Sequence, residues 1–347
     1  MSWNRNVPEM NDPVPAALAE GIAALQTARV VCVGDVMLDR FVYGDVDRVS
    51  PEAPIPVCRV KNETAMLGGA GNVVRNLVAV GASVDFVSVV GNDDIAADID
   101  LLLRDLSGVT PTLVIEKDRP TTSKIRYVAG GQQLLRADRE VTTPIHADTA
   151  DSVVAAVTAA LGTAGALIVS DYGKGTVTGD LVARLITAAK AAGKPVIVDP
   201  KSRDFSRYAG ATLITPNLKE LGEAADGDLS SEGGIETAAR GLLAESGIGA
   251  MLVTRGAQGM SLISPDAADH FPSRAREVFD VSGAGDTVLA MLAAGIAADT
   301  PALEAAQLAN VAAGIVVGKT GTAVVYADDL HAELGEMAGL SGPQPPL

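Results

Sequence analysis

Asp280-Val281-Ser282-Gly283-Ala284-Gly285-Asp286, followed at once by the apolar run 287–298, sets the reading of this chain. Three small residues leave backbone N–H groups bare where a helix begins, and a carboxylate comes directly after them. Free amides at a helix N-terminus, reinforced by the helix dipole, bind anions. Asp286 is placed beside them to take a proton from a hydroxyl while charge builds on a neighbouring phosphate. That equipment suits phosphoryl transfer, which needs positioning and charge stabilisation more than covalent chemistry. The competing reading is an ordinary Gly-rich helix start with Asp286 as a first-turn charge.

Outward from this stretch, short β-branched runs alternate with Ala-rich helical runs. Strands are expected at 30–34, 84–90, 166–170, 195–199, 211–215 and 250–254. Helices are expected at 70–80, 96–106, 151–161, 181–192, 235–246 and 302–313. Such alternation predicts an α/β fold with a mostly parallel central sheet flanked by helices. Ligands of such sheets bind outside the carboxyl ends of the strands. Two stretches break the rhythm: 41–62, with Pro51, Pro54 and Pro56, and 112–138, with turn signals at Asp118-Arg119-Pro120 and Gly130-Gly131. Together they predict a small antiparallel β lid.

Composition sets limits. The 347 residues are ample for one large domain, and 48% are hydrophobic but only 3% aromatic, so the core is aliphatic. A formal net charge of -16 argues against nonspecific nucleic-acid or anionic-membrane binding. Cys32 and Cys58 are too few for a disulfide framework, which suits a cytoplasmic setting. The three histidines, His146, His270 and His331, show no metal-ligand spacing. The first 15 residues lack the apolar core of a signal peptide, and the Pro-rich 341–347 reads as a disordered tail.

Several polar clusters follow the expected strands. Gly34-Asp35-Val36-Met37-Leu38-Asp39 sets two carboxylates four residues apart, able to accept from sugar hydroxyls. Gly68-Gly69-Ala70-Gly71-Asn72 opens a helix without the dinucleotide-binding G-x-G-x-x-G spacing, so a dehydrogenase is set aside. Ser170-Asp171-Tyr172-Gly173-Lys174-Gly175 joins an acid to a cation that can meet a phosphate. Asn217 and Glu220 share a helix face in Thr215-Pro216-Asn217-Leu218-Lys219-Glu220. They read either as oxygen donors near Mg²⁺ or as a plain N-cap turn. Gly314-Ile315-Val316-Val317-Gly318-Lys319-Thr320 imitates a P-loop but is one residue short between its glycines, so Gly318 or Gly321 reads as a helix end.

With these residues laid out, the chain resembles the ribokinase-like (PfkB) carbohydrate kinases from 29 to 325. Asp280 to Asp286 is similar to the family signature D-T-x-G-A-G-D, with Val281 and Ser282 as departures. Residues 68–81 look like the N-terminal glycine signature, and Asn217 to Glu220 like N-x-x-E. Within the family, 34–40, 50–54, 132–138, 170–175, 199–201 and 277–280 look most like the heptose 7-phosphate kinases of lipopolysaccharide precursor synthesis. Some members carry a second, nucleotidyltransferase domain, for which a chain ending at Leu347 leaves no room, so a separate kinase is expected.

The resemblance implies a ribokinase-like kinase domain over 28–340, after an extension at 1–27. It implies phosphorylation by ATP of the anomeric hydroxyl of D-glycero-β-D-manno-heptose 7-phosphate. Asp286 would be the base, and the amides of Gly283, Ala284 and Gly285 the anion hole. Asn217, Leu218, Lys219, Glu220, Thr254 and Gly256 would meet the nucleotide, with Asn217 and Glu220 near Mg²⁺. Asp35, Asp39, Gly68, Gly69, Asn72 and Asp171 would hold the sugar, and Lys124, Arg126, Arg136 or Lys174 its phosphate. The resemblance also implies a homodimer through the lid and allows a K⁺ site near Asp280 and Ser282. The alternatives are another sugar or nucleoside as acceptor, or a sugar-phosphate sensor without catalysis.

Overall fold

In the computed structural model, which describes residues 16–337, thirteen strands form two sheets. The expected tail at 341–347 and the first 15 residues of the expected extension lie outside the described residues. In chain order the strands are β1 (Arg29–Gly34), β2 (Val36–Val49), β3 (Pro56–Gly69), β4 (Ser83–Val90), β5 (Val109–Ile115), β6 (Ser123–Ala129) and β7 (Gln132–Arg139). They continue with β8 (Ala166–Ser170), β9 (Val196–Asp199), β10 (Leu213–Ile214), β11 (Met251–Thr254), β12 (Met260–Ile263) and β13 (Ala268–Phe271). The helices are α1 (Ala16–Leu25), α2 (Ala70–Ala79), α3 (Asp94–Arg104), α4 (Ala147–Leu161) and α5 (Gly179–Ala191). After them come α6 (Leu218–Ala224), α7 (Glu232–Ser246), α8 (Ala284–Ala297), α9 (Ala302–Val317) and α10 (Ala327–Met337).

The large sheet runs β13-β12-β11-β10-β9-β8-β1-β4-β5, parallel except at the β11–β12 and β12–β13 pairs. Side chains alternate across β1: Val30 and Cys32 enter the core beneath α2, α8 and α9, while Val31 and Val33 enter the core beneath α4, α5 and α7. Burial on both faces is why the central strands read as unbroken apolar runs. Helix α8 is buried almost along its whole length and joins that first core. From β1 the chain first extends the sheet to β4 and β5, then returns to β8 and builds the other way. Carboxyl ends on either side of that reversal form the crevice in which such sheets bind ligands. Asp35, Asp171, Asp199, Thr215 and Thr254 all stand at those ends.

The second sheet runs β3-β2-β6-β7. Its two hairpins are antiparallel, as expected, but β2 pairs with β6 in parallel. Both strands leave the large sheet at the same end, with Leu38 opposite Ser123, and so must run the same way. Gly130 and Gly131 turn the β6–β7 hairpin at φ 57 and φ 79, the left-handed pair that matches strand twist. Residues 112–115 belong to β5 of the large sheet, and β2 already begins at Val36, ahead of the 41 expected for the lid. The Pro-rich segment 50–55 links β2 to β3. The antiparallel edge β12–β13 gave no helical rhythm to betray it and was not anticipated. Among the described residues no helix is long and apolar enough to cross a membrane.

Candidate active site

Helix α8 starts at the carboxyl end of the sheet, and its N-cap is Gly283 at φ 82. A Cβ there would adopt a strained backbone and stand 2.7 Å from Asn72 Nδ2, so glycine is demanded twice. A side chain at Gly285 would meet nothing within 4 Å, and the residue lines open cavity space. The Ala284 amide donates to Val281 O at 3.2 Å and is therefore drawn into a turn. Of the three amides expected as an anion hole, those of Gly283 and Gly285 are the ones with no partner among the described residues.

Asp286 is buried in the first turn of α8. Its Oδ2 accepts from Asn72 Nδ2 at 2.7 Å, and its Oδ1 accepts from the Tyr172 hydroxyl. Burial pushes the carboxyl up to about 6, opposed by those two donors and helped by the nearby charge of Asp39. A carboxylate there is a stronger base than an exposed one yet ionises near neutrality. Helices α2 and α8 are bound together at the same point. Asn76 Oδ1 accepts from Thr287 Oγ1 at 2.9 Å, one turn beyond the Asn72 contact.

Two cavities meet at Gly285. The smaller, about 190 Å³, is bounded by Tyr172, Asp199, Lys201, Thr215, Glu220 and Asp286. The larger, about 660 Å³, has an apolar wall from Val278, Val281, Ala313 and Val317. The residues expected at the nucleotide stand here: Asn217, Glu220 and Thr254 at the smaller cavity, Leu218, Lys219 and Gly256 at the larger. Gly314 also lines the larger cavity, so with Val317 the false P-loop contributes two residues after all, as part of α9 rather than as a phosphate cradle. Gly318 caps that helix.

The N-cap reading of Asn217 is realised. Asn217 Oδ1 accepts from Glu220 N at 2.9 Å, and Glu220 Oε2 accepts from Asn217 N at 3.1 Å, a reciprocal capping box on α6. Glu220 Oε1 meets Lys201 Nζ at 3.0 Å. Asp199 lies deeper, bound by Thr215 Oγ1 at 3.1 Å. Burial, then the charges of Asp286 and Glu220, hold its carboxyl well above the usual range. A crowd of oxygen donors whose charges oppose one another is a setting that a hard cation would relieve.

The expected sugar ligands divide into two groups. Asp35 accepts from three backbone amides, Tyr172 N at 2.9 Å, Lys174 N at 3.1 Å and Thr176 N at 3.0 Å. Asp171 accepts from Gly173 N at 2.8 Å and Tyr208 Oη at 2.7 Å, its carboxyl raised by burial. These two acids brace the loop after β8. Asn72 is likewise turned to Asp286, and Gly69, at φ 57, forms the N-cap of α2. Asp39 is buried with Gly68 against it, where any side chain at 68 would collide with the Asp39 carboxylate.

On the small sheet, Asp39 opposes Lys124, and Arg126 opposes Arg136, which places all four on one face. Arg126 Nη1 meets Asp39 Oδ1 at 2.6 Å, Arg136 Nε meets Asp138 at 2.8 Å, and Lys174 Nζ meets Glu140 at 2.7 Å. Lys124 has no ion pair among the described residues, and desolvation first, with Lys174 and Arg136 adding, lowers its ammonium. Near the α8 start, Asp280 Oδ1 accepts from Ser282 N at 2.8 Å, and this bond leads in lowering its carboxyl. Tyr172, Asp199 and Lys201 were visible in the sequence motifs, but their roles depend on distant partners.

The family model for pfkB carbohydrate kinases matches residues 27–328. The bifunctional protein HldE of Paramagnetospirillum magneticum is 54% identical over 91% of this chain, and that of Rhodospirillum rubrum 52% identical over 92%. The chain spans about 65% of the length of these curated relatives. Among solved structures, phosphofructokinase-2 from Escherichia coli in complex with potassium superposes with a TM-score of 0.75 at 19% identity, over 90% of this chain and 99% of that one. Arabidopsis thaliana ribokinase, complexed with ribose and ATP, gives 0.68 at 19% identity, over 88% and 98%. At such identities these likenesses establish the fold.

Two outcomes follow from this geometry. Asp35→Ala strips three amides, one of them fully buried, of their acceptor and should cost about 3–4 kcal/mol in urea unfolding; a loss below about 1 kcal/mol would contradict the bracing role. In ligand-free protein with carbon-13-labelled aspartate, one carboxyl should titrate near pH 6 and vanish in Asp286→Asn. If the resonance that vanishes titrates near 4, Asp286 is not the raised group.

Proposed function

The chain belongs to the pfkB family of carbohydrate kinases, and from that premise we propose that it transfers the γ-phosphate of ATP to the anomeric hydroxyl of D-glycero-β-D-manno-heptose 7-phosphate, giving the 1,7-bisphosphate. The observation that carries the reading is Asp286: a buried carboxylate of raised basicity, at the bare start of α8, where two cavities meet. The adenosine enters the larger cavity against its apolar wall, and the phosphates reach toward Gly283 and Gly285.

Asp286 takes the hydroxyl proton as the new oxygen–phosphorus bond forms, because a free sugar hydroxyl is too weak an acid to ionise beforehand. The Gly283 and Gly285 amides hold the charge on the transferring group, and losing one such donor costs roughly 3–4 kcal/mol. Asn217 and Glu220, whose oxygens close the capping box and meet Lys201, would hold Mg²⁺ directly or by way of water, and the ion would neutralise charge on the nucleotide phosphates. The small sheet acts as a lid that keeps water from the transferring group.

Lys124, Arg126, Arg136 and Lys174 favour an acceptor that carries its own phosphate, despite the acidic chain. Lys124 is the best placed of them, since it has no ion pair to give up among the described residues. The motif likeness at 34–40, 50–54 and 170–175 to heptose 7-phosphate kinases supports the heptose. Exposed Tyr43, Val49, Val60 and Leu135 on the small sheet support a homodimer formed through it. A cytoplasmic location suits an enzyme that uses ATP, and a K⁺ near Asp280 and Ser282 belongs to the same reading.

Asp286→Asn should bind ATP and sugar almost normally while kcat falls by about 10³-fold or more; unchanged turnover would remove Asp286 from its role and favour a non-catalytic sensor. Against a panel of heptose 7-phosphate, fructose 6-phosphate, ribose and adenosine, the heptose should give the highest kcat/KM, with NMR locating the new phosphate on C1. A different acceptor preferred by roughly 100-fold or more would overturn the substrate assignment.

A further inference from the structure

Asp286 is gripped from two sides by elements far apart in the chain. Asn72 on α2 donates to Oδ2 at 2.7 Å, and Tyr172, in the loop after β8, donates its hydroxyl to Oδ1. One donor alone would leave the carboxylate free to turn about its last bond; two donors on different oxygens fix its plane. We propose that Tyr172 is a positioning residue whose phenol holds the Asp286 carboxylate in its working orientation, with Asp35 fixing Tyr172 in turn. The inference rests on the reading of Asp286 as the base.

The loop that carries Tyr172 is held more tightly than its composition would suggest. Gly173 at φ 65 and Gly175 at φ 88 would make it pliant. Asp35, almost fully buried, accepts from the amides of Tyr172, Lys174 and Thr176, while Asp171 accepts from Gly173 N at 2.8 Å. Arg119 closes the far side by donating to Lys174 O at 2.5 Å. The result is a rigid arm that ends in one hydroxyl, and that hydroxyl lies at the wall of the smaller cavity.

Tyr172 can serve as donor throughout any assay range. Burial first, then the charge of Asp286, holds its phenol well above its ordinary value, so the proton stays on oxygen. The other charged or titratable groups around Asp286 are Asp39 from β2, Arg75 from α2, Asp199 at the end of β9 and Cys32 from β1. Each acts across space, whereas Asn72 and Tyr172 make the hydrogen bonds.

A donor to a carboxylate favours its ionised form, so removing it moves ionisation upward in pH. Tyr172→Phe deletes that one hydroxyl. With heptose 7-phosphate and ATP, KM should stay within about twofold while kcat falls by about 10–100-fold. The acidic limb of kcat/KM should move to higher pH by about one pH unit. Ionisation of the substrates is common to both enzymes, so a shift between them belongs to the protein. Tyr208→Phe, which loses a buried hydroxyl that donates to Asp171 and does not touch Asp286, should lower Tm but leave the limb in place. An unmoved limb and unchanged kcat in Tyr172→Phe, or an equal shift in Tyr208→Phe, would overturn the inference. Should Asp286→Asn itself keep full turnover, the reading of the base fails first and separately.

Discussion

A charged group kept out of water needs partners, and the burial of Asp286 organises everything around it. An isolated carboxylate in such a place would take up a proton, because desolvation opposes its charge. Two donors from opposite walls, Asn72 and Tyr172, oppose that tendency without abolishing it, and the carboxyl settles near 6. The balance makes it basic enough to assist a hydroxyl and ionised enough to do so at neutral pH. Around this single residue the β8 loop, α2 and the start of α8 have to arrive together.

The same economy runs through the rest of the cleft. Asp35 and Asp171, expected at the sugar, accept from backbone amides of the β8 loop and brace it. Asn217 and Glu220 cap α6 while facing the smaller cavity, so their orientation is fixed before any ligand arrives. Preorganisation of this kind removes an entropic cost from the reacting complex. The small sheet is arranged differently. The face that carries Asp39 also holds Lys124, which has no ion pair among the described residues, beside Arg126 and Arg136, each paired with an acid, so one cation can meet a phosphate without releasing a partner.

Much of this was legible in the sequence because it is local. Apolar runs buried on both faces announce parallel strands, and Gly283-Ala284-Gly285-Asp286 announces a bare helix start, since both depend on neighbours in the chain. Contacts that decide roles are not local. Asn72 and Asp286 lie 214 positions apart, Tyr172 and Asp286 114 apart, and no periodicity connects them. Hence Asn72 and Asp35 were read as sugar ligands, although the structure turns the first to the base and the second to backbone amides. Tyr172 was quoted within its motif and given no task. The parallel β2–β6 pairing was hidden for a similar reason: strand direction depends on where each hairpin leaves the large sheet.

The central claim is that Asp286 and the bare amides of α8 together present a phosphoryl group to a sugar oxygen. A crystal structure with a non-hydrolysable ATP analogue and heptose 7-phosphate both bound tests it most directly. The account predicts the C1 hydroxyl within about 3 Å of an Asp286 oxygen and the terminal phosphate against the Gly283 and Gly285 amides. A sugar bound elsewhere, with both Asp286 oxygens distant from any reacting atom, would contradict it.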